Sequence, residues 1–313
     1  MIGILGGGFG LYGYLPAASA LVEGPILMPD RYREKFRCKP ELESFSERVR
    51  WVDSDQAVIE TATLLIVSKR PGDQFRLLPN LLAQSNIETI ILEKPLAISP
   101  KDAQRMQELI EASDKKCNVG FIFRFLPWAK LIKKRLLNST NGDSKIWHLK
   151  WHFMAHHYEN NCSNWKREHS QGGGAIRFYG IHVIALLSEW GYINVSSSAA
   201  ESESNGDGIY SWRAIFKAPG LPDFSVEIVS KSDANCFVVD DGNENNPLYL
   251  SKDPMDAEST RRDVFKIDYR CDYLEKLLDE ALTQIEPWPL RLTQAIDLWS
   301  KVESLTAVKL ASI

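Results

Sequence analysis

The 313 residues carry 37 Lys and Arg against 41 Asp and Glu, a formal net charge of −4, and 44% of them are hydrophobic. Such a chain can bury a large core and has the length for two domains, while its mild acidity lacks the basic excess that a phosphate backbone requires, so no nucleic acid partner is expected. Five scattered cysteines with no Cys-x-x-Cys pair argue against a disulfide framework and a structural zinc site. The absence of a charged leader or an apolar run of about 18 to 20 residues points to a cytoplasmic protein without a membrane partner.

Ile2 to Leu5 is a short apolar run that stops at a cluster of glycines, as a buried parallel strand feeding a tight turn does, and Leu11 to Val22 follows with helical periodicity. Two registers of Gly-x-Gly-x-x-Gly compete. Gly8, Gly10 and Gly13 match the spacing in full, whereas Gly6 and Gly8 sit directly after the strand with Leu11 in the third place; the second register is preferred. Gly6, Gly8, Phe9 and Gly10 are therefore candidates for cradling a dinucleotide pyrophosphate at a helix N-terminus. A second strand, Ile26 to Met28, runs into Pro29-Asp30-Arg31. Asp30 lies about 20 residues beyond the glycine turn, where an acid receives ribose hydroxyls. Arg31 and Arg33 follow at once, and an arginine here can grip a 2′-phosphate, so NAD and NADP both stay open.

Strands over Thr63 to Val67 and Thr89 to Leu92, separated by a helix over Phe75 to Gln84, continue the alternation that builds a parallel sheet. Ligands on such sheets lie beyond the carboxyl ends of the strands, which singles out Lys69 in Ser68-Lys69-Arg70-Pro71 and both Glu93 and Lys94 in Glu93-Lys94-Pro95-Leu96-Ala97. Ser99-Pro100 opens a helix to Ala112. Val119 to Phe123 reads as the next strand, ended by Arg124-Phe125-Leu126-Pro127, and the composition then changes. The expected domains are 1–122 and 123–313, with a C-terminal helix packing back on the first.

In the second part, a helix over Trp128 to Leu137 and a turn at Asn141-Gly142-Asp143 lead to a strand in which Trp147, Leu149, Trp151 and Phe153 alternate with His148, Lys150 and His152. The two histidines share a face but lie about 13 Å apart on a strand, too far to share a metal, and no metal is expected. Gly172-Gly173-Gly174 introduces a helix over Ala175 to Trp190 with Phe178 and His182 on one face. A polar surface loop from Ser196 to Gly208 precedes strands at Tyr210 to Phe216, Phe224 to Ser230 and Cys236 to Val239. The acidic segment Asp240 to Asp263 reads as loop with a short strand at Leu248 to Leu250. Helices over Asp272 to Thr283 and Leu290 to Lys309 close the chain.

The glycine turn, Glu93-Lys94-Pro95-Leu96-Ala97, Val119-Gly120-Phe121 before Arg124-Phe125, Asn164-Trp165-Lys166-Arg167, Gly172-Gly173-Gly174-Ala175 and Gly180-Ile181-His182 follow one another in an order that resembles the Gfo/Idh/MocA family of nicotinamide-dependent oxidoreductases over nearly the whole chain. The resemblance implies an α/β Rossmann domain followed by an α+β domain whose open, mostly antiparallel sheet makes homodimer or homotetramer contacts. It implies NAD or NADP as coenzyme and hydride transfer on a sugar, sugar nucleotide or related polyol. Lys94 matches the lysine that contacts the reacting oxygen, and His182 the proton donor and acceptor; Arg124, Trp165, Phe178 and Tyr179 fall where substrate contacts are expected. The family usually carries an aspartate one turn before the histidine, and here that place is Phe178. The alternative implied by this departure is a non-catalytic, dinucleotide-sensing regulator of the same fold.

Overall fold

A computed structural model describes residues 1–138, 145–204, 206–255 and 268–311. The expected turn at Asn141-Gly142-Asp143 and the end of the acidic segment lie outside them. Among the described residues the strands form two sheets, and the chain divides into two units. One holds residues 1–97, 104–122 and 268–289, and the other holds 98–103, 123–255 and 290–311. The helix Leu290–Leu305 thus groups with the second unit, and it is Cys271–Thr283 that groups with the first.

The first sheet comprises β1 (Ile2–Leu5), β2 (Ile26–Pro29), β3 (Val49–Val52), β4 (Leu64–Val67), β5 (Thr89–Leu92) and β6 (Lys116–Val119), ordered β3-β2-β1-β4-β5-β6 with every pairing parallel. This is the doubly wound order of a Rossmann fold, and its direction reverses between β1 and β4. Ile4, Leu5, Leu65, Ile66 and Val67 are fully buried there, which is why both central strands read as unbroken apolar runs. The edge strands are less apolar. β3 contains an exposed Arg50, and its Val49-Arg50-Trp51-Val52 run, though made of strand-forming residues, is too short and too polar to stand out as a buried strand. β6 begins three residues before the expected Val119 and ends where that strand was to start, because Asn118, though polar, is fully buried. Its side chain donates to Gln284 Oε1 at 3.2 Å and accepts from the Val119 N–H at 2.9 Å. Phe123–Phe125 is a 3-10 turn rather than strand. The helix Cys271–Thr283 packs on Leu15–Leu21, burying Leu274, Leu277 and Leu278 completely.

The second sheet comprises β7 (Trp147–Met154), β8 (Asn194–Ser202), β9 (Ile209–Lys217), β10 (Phe224–Val229), β11 (Lys231–Asp240), β12 (Tyr249–Ser251) and β13 (Thr306–Leu310), in the order β12-β11-β7-β10-β9-β8-β13. The β10–β7 and β13–β8 pairs are parallel and the other four antiparallel. Trp212, Phe216, Phe224, Ile228 and Phe237 fill the covered side; the segment Ala175–Gly180 lies against β9 and β10, and the helix Leu290–Leu305 packs on β8 and on the helix Ile181–Glu189. The other side is polar: His152 Nε2 and the Arg213 guanidinium both meet Glu227 Oε1, at 3.0 and 3.2 Å.

Two expectations are corrected here. The stretch expected as a loop from Ser196 is largely strand β8, because its alternate residues Ser198, Ala200 and Ser202 are buried. Ser198 Oγ accepts from Trp212 Nε1 at 3.0 Å and pairs with Thr306 Oγ1 at 2.7 Å, so a buried hydroxyl stays satisfied in a strand whose composition looks like a turn. The last helix stops at Leu305 instead of Lys309, and Thr306–Leu310 pairs with Ser198–Ser202 as β13. Among the described residues no helix is long and apolar enough to cross a membrane.

Candidate functional site

In the first unit the strand order brings the turns after β1, β2, β4 and β5 to one end of the sheet, and all the coenzyme candidates stand on these turns. Gly6 is packed against β4: a Cβ there would lie 2.3 Å from the Ser68 carbonyl oxygen. A Cβ on Gly10 would come within 3.1 Å of Ile4 Cγ2, so the close approach of helix to strand falls at Gly10, one residue before Leu11 of the preferred register. Leu11 is itself fully buried. Gly8 is the opposite case. A Cβ added to it would meet nothing within 4 Å, which leaves its backbone open to an approaching pyrophosphate. Helical backbone then begins with a short π turn, Gly10–Tyr14, and continues as Leu15–Leu21.

The adenosine-side candidates do not all come together. Asp30 is exposed and pairs with Arg33 at 3.3 Å. Arg31 turns away from it, donating to Tyr32 Oη at 3.0 Å and to Asp55 Oδ1. Lys69 reaches the same carboxylate from β4, with its ammonium 2.8 Å from Oδ2. Burial works against the charge of Asp55, yet Arg31 and Lys69 together hold its carboxyl below the usual range. Tyr32 covers the glycine turn so closely that a Cβ on Gly7 would be 2.4 Å from its ring. Neither Asp55 nor Tyr32 is marked by the motifs. Ser54 is the N-cap of Asp55–Thr61, and a capping serine before an acid was the available signal.

At the end of β5 the Glu93-Lys94-Pro95 turn, with a cis Lys94–Pro95 bond, is fixed by a residue outside every motif. Gln74 is fully buried, and its amide donates to the carbonyls of Glu93 and Pro95 at 2.8 and 3.2 Å while accepting from the Glu93 N–H at 2.8 Å. Gln74→Leu removes these partners and is expected to destabilise the chain by about 1–3 kcal/mol, read as a lower denaturation midpoint. A loss too small to measure would show that the turn holds itself. The Glu93 carboxylate accepts from Tyr14 Oη at 2.7 Å, and burial raises its pKa against the opposing charge of Lys94. Gly120 makes room for this pair, since a Cβ there would lie 2.8 Å from both Glu93 Oε2 and Tyr14 Oη. Arg270, bonded to Asp268 at 2.8 and 2.6 Å, lays its guanidinium 4.2 Å from the centre of the Phe9 ring, another feature the motifs do not reveal.

The remaining candidates belong to the second unit. Phe178 lies in a π-helical turn, Ala175–Gly180, that leads into the helix Ile181–Glu189. Trp165 and Tyr179 meet its ring edge to face at 5.5 and 4.9 Å, and Lys166 Nζ stands 5.1 Å from its centre. Tyr179 also contacts Phe153, Trp151 and His157, which makes it the hub of an aromatic group. Within this group Trp151 Nε1 and His157 Nε2 are buried and have no hydrogen-bond partner among the described residues. Burial, with Arg167 nearby, pushes the His157 imidazole down to about 4, so it is neutral at physiological pH. His182 is 6% exposed and stacks on Phe123 with ring centres 4.4 Å apart and planes 9° from parallel. The Arg124 guanidinium sits over Phe125 at 4.2 Å. Arg177, beside Phe178, is structural: it bonds Glu303 at 2.7 and 2.6 Å and the carbonyls of Ile98 and His169. Among the described residues no three His, Cys, Asp or Glu side chains gather as a metal site requires.

Residues 3–121 match the family model described as "Oxidoreductase family, NAD-binding Rossmann fold". The chain is 28% identical over 101 residues to the Bacillus subtilis protein YteT, covering 32% of this chain and 24% of that one. It is 26% identical over 101 residues to the glucose-6-phosphate 3-dehydrogenase of the same organism, covering 31% and 28%. The matched region thus spans about a quarter of the length of these curated relatives. Among solved structures, KijD10, a 3-ketoreductase from Actinomadura kijaniata crystallised with NADP and TDP-benzene, superposes with a TM-score of 0.73 over 99% of each chain at 12% identity. The fold is therefore the two-domain fold seen in KijD10, and residues 3–121 form an NAD-binding Rossmann domain that matches the Gfo/Idh/MocA oxidoreductase family model.

Proposed function

We propose that the chain is an NAD(P)-dependent oxidoreductase that exchanges hydride at a hydroxyl- or carbonyl-bearing carbon of a sugar, sugar nucleotide or related polyol. The observation that carries this reading is the Glu93-Lys94-Pro95 turn, held at the ligand end of a Rossmann sheet by the buried amide of Gln74. Gly6, Gly8, Phe9, Gly10, Asp30, Arg31, Lys69 and Glu93 would hold the coenzyme, whose nicotinamide supplies or accepts the hydride when bound. The Lys94 ammonium stabilises negative charge on the substrate oxygen, and His182 holds or accepts the proton of the reacting hydroxyl. Arg124, Trp165, Phe178 and Tyr179 contact substrate. The aromatic faces around Tyr179, with the orphaned Trp151 Nε1 and His157 Nε2 among them, suit a ring that has an apolar C–H face and a hydroxylated rim. A 3-ketoreductase and a glucose-6-phosphate 3-dehydrogenase among the similar proteins support the same substrate class.

The division of labour follows: 1–122 as the coenzyme domain and 123–313 as the substrate and assembly domain. The protein works in the cytoplasm as a homodimer or homotetramer that meets through the second sheet. A second reading is favoured by Phe178, which brings an aromatic ring where the family usually carries a carboxylate: a non-catalytic protein that senses the dinucleotide. Energy transfer from tryptophan to NADH or NADPH, combined with turnover on a panel of sugars, sugar nucleotides and polyols, separates the two. Saturable transfer with turnover of one panel member is expected. Saturable transfer with no turnover would favour the sensor, and absence of transfer would remove both readings.

A further inference from the structure

Three charged side chains from three different segments converge on the adenosine side of the first unit, and the one at their centre has no place in the coenzyme fingerprint. Asp55, in the first turn of Asp55–Thr61, receives Arg31 on one carboxylate oxygen and Lys69 on the other. Arg31 directly follows Asp30 at the end of β2, where Rossmann proteins distinguish a ribose hydroxyl from a 2′-phosphate, and Lys69 follows β4, next to the point at which the strand order reverses. The Asp55 side chain is 23% exposed and that of Lys69 18%, so this contact is only partly screened by solvent.

We infer that Asp55 sets the coenzyme preference, favouring NAD over NADP by occupying the two cations that a 2′-phosphate would need. The reasoning is one of charge and geometry. With Asp55 present the trio carries a net charge of +1, and a phosphate with a charge of about −1.5 to −2 meets a carboxylate already seated between its natural partners. Removing the carboxylate charge raises the trio to +2 and frees both donors. Arg31 keeps its second hold, the 3.0 Å bond to Tyr32 Oη, and so stays at the rim instead of swinging into solvent. Asp30, whose ion pair to Arg33 is long and exposed, remains accessible to ribose hydroxyls in either case. The inference rests on the coenzyme assignment of the Rossmann domain and not on the choice of substrate.

The test is a pair of equilibrium titrations, NADH and NADPH, followed by energy transfer from tryptophan in the full chain. The wild type is expected to bind NADH at least tenfold more tightly than NADPH. Asp55→Asn keeps a side chain suited to a helix start, and it should tighten NADPH on the order of tenfold while leaving NADH within about threefold. Adding Arg31→Ala to that variant should cancel the gain, and Asp55→Glu, which restores the charge, should return the wild-type ratio. The proposal is overturned if the wild type binds NADPH as tightly as NADH, or if Asp55→Asn changes both affinities by the same factor. Should neither coenzyme bind the wild type, the coenzyme assignment itself falls, an outcome distinct from binding without discrimination. Circular dichroism of each variant identifies a loss of fold, and in that event the Asp55→Glu ratio decides.

Discussion

Lys94→Ala is expected to lower kcat on the order of 10²–10³-fold while leaving the dissociation constant for the reduced coenzyme within about threefold. The first part follows from the role proposed for the ammonium, a fixed positive charge at an oxygen that turns negative as the bond to hydrogen changes, which is a stabilisation made in the transition state. The second part follows from what the substitution leaves behind. Gln74 holds the backbone of Glu93 and Pro95, not the Lys94 side chain, and the Tyr14–Glu93 hydrogen bond is untouched. The pyrophosphate turn at Gly6 to Gly10 and the Arg31–Asp55–Lys69 trio belong to other strands. Stopped-flow or steady-state turnover on the substrate found in the panel, beside a coenzyme titration, reads both quantities. A wild-type kcat in the variant would remove Lys94 from the reaction, and a collapse of coenzyme affinity would reassign it to binding.

Arg177→Ala should cost about 3–5 kcal/mol of stability, measured by urea denaturation, because it strands a largely buried carboxylate. The Arg177 and Glu303 side chains are 12% and 16% exposed. Glu303 also accepts from Trp299 Nε1 at 2.7 Å, and Arg177 satisfies the carbonyl oxygens of Ile98 and His169 at 2.7 and 2.8 Å. Truncation therefore leaves one charge and two carbonyls short of a donor. The double variant Arg177→Met, Glu303→Leu should recover part of the loss, since replacing both members of a buried pair with apolar groups is far less costly than removing one. A single-variant loss below about 1 kcal/mol, the range of an exposed pair, would show that water reaches the bridge. Because Arg177 precedes Phe178 in the π-helical turn, this ion pair also anchors the segment that presents the aromatic group.

What could be read from the chain alone depended on whether a segment's neighbours lay within it. β1, β4 and β5 are buried on both faces, and their uninterrupted apolar runs announce them. β8 is built of serines and alanines, and its strand character comes from pairing with β9 and β13 and from the Trp212–Ser198–Thr306 chain of hydrogen bonds, none of which is local. The same holds at the site. Lys94 could be found because a strand end followed by Glu-Lys-Pro is a local pattern. Gln74 and Asp55 act on backbone and side chains 14 to 24 residues away, through contacts that exist only once the sheet has formed. Trp165, Phe178 and Tyr179 were named singly from the resemblance, and their union around one ring is a product of the π turn.

The fit of Gly120 against both the Tyr14 phenol and the Glu93 carboxylate links three segments of the chain into one heritable unit. A methyl group at position 120 would evict one of the two partners, so variation at any of the three positions is tolerated only when the others vary with it. Libraries that aim to retune the surroundings of Lys94 should therefore randomise 14, 93 and 120 jointly, and active members should carry matched triplets in place of independent substitutions.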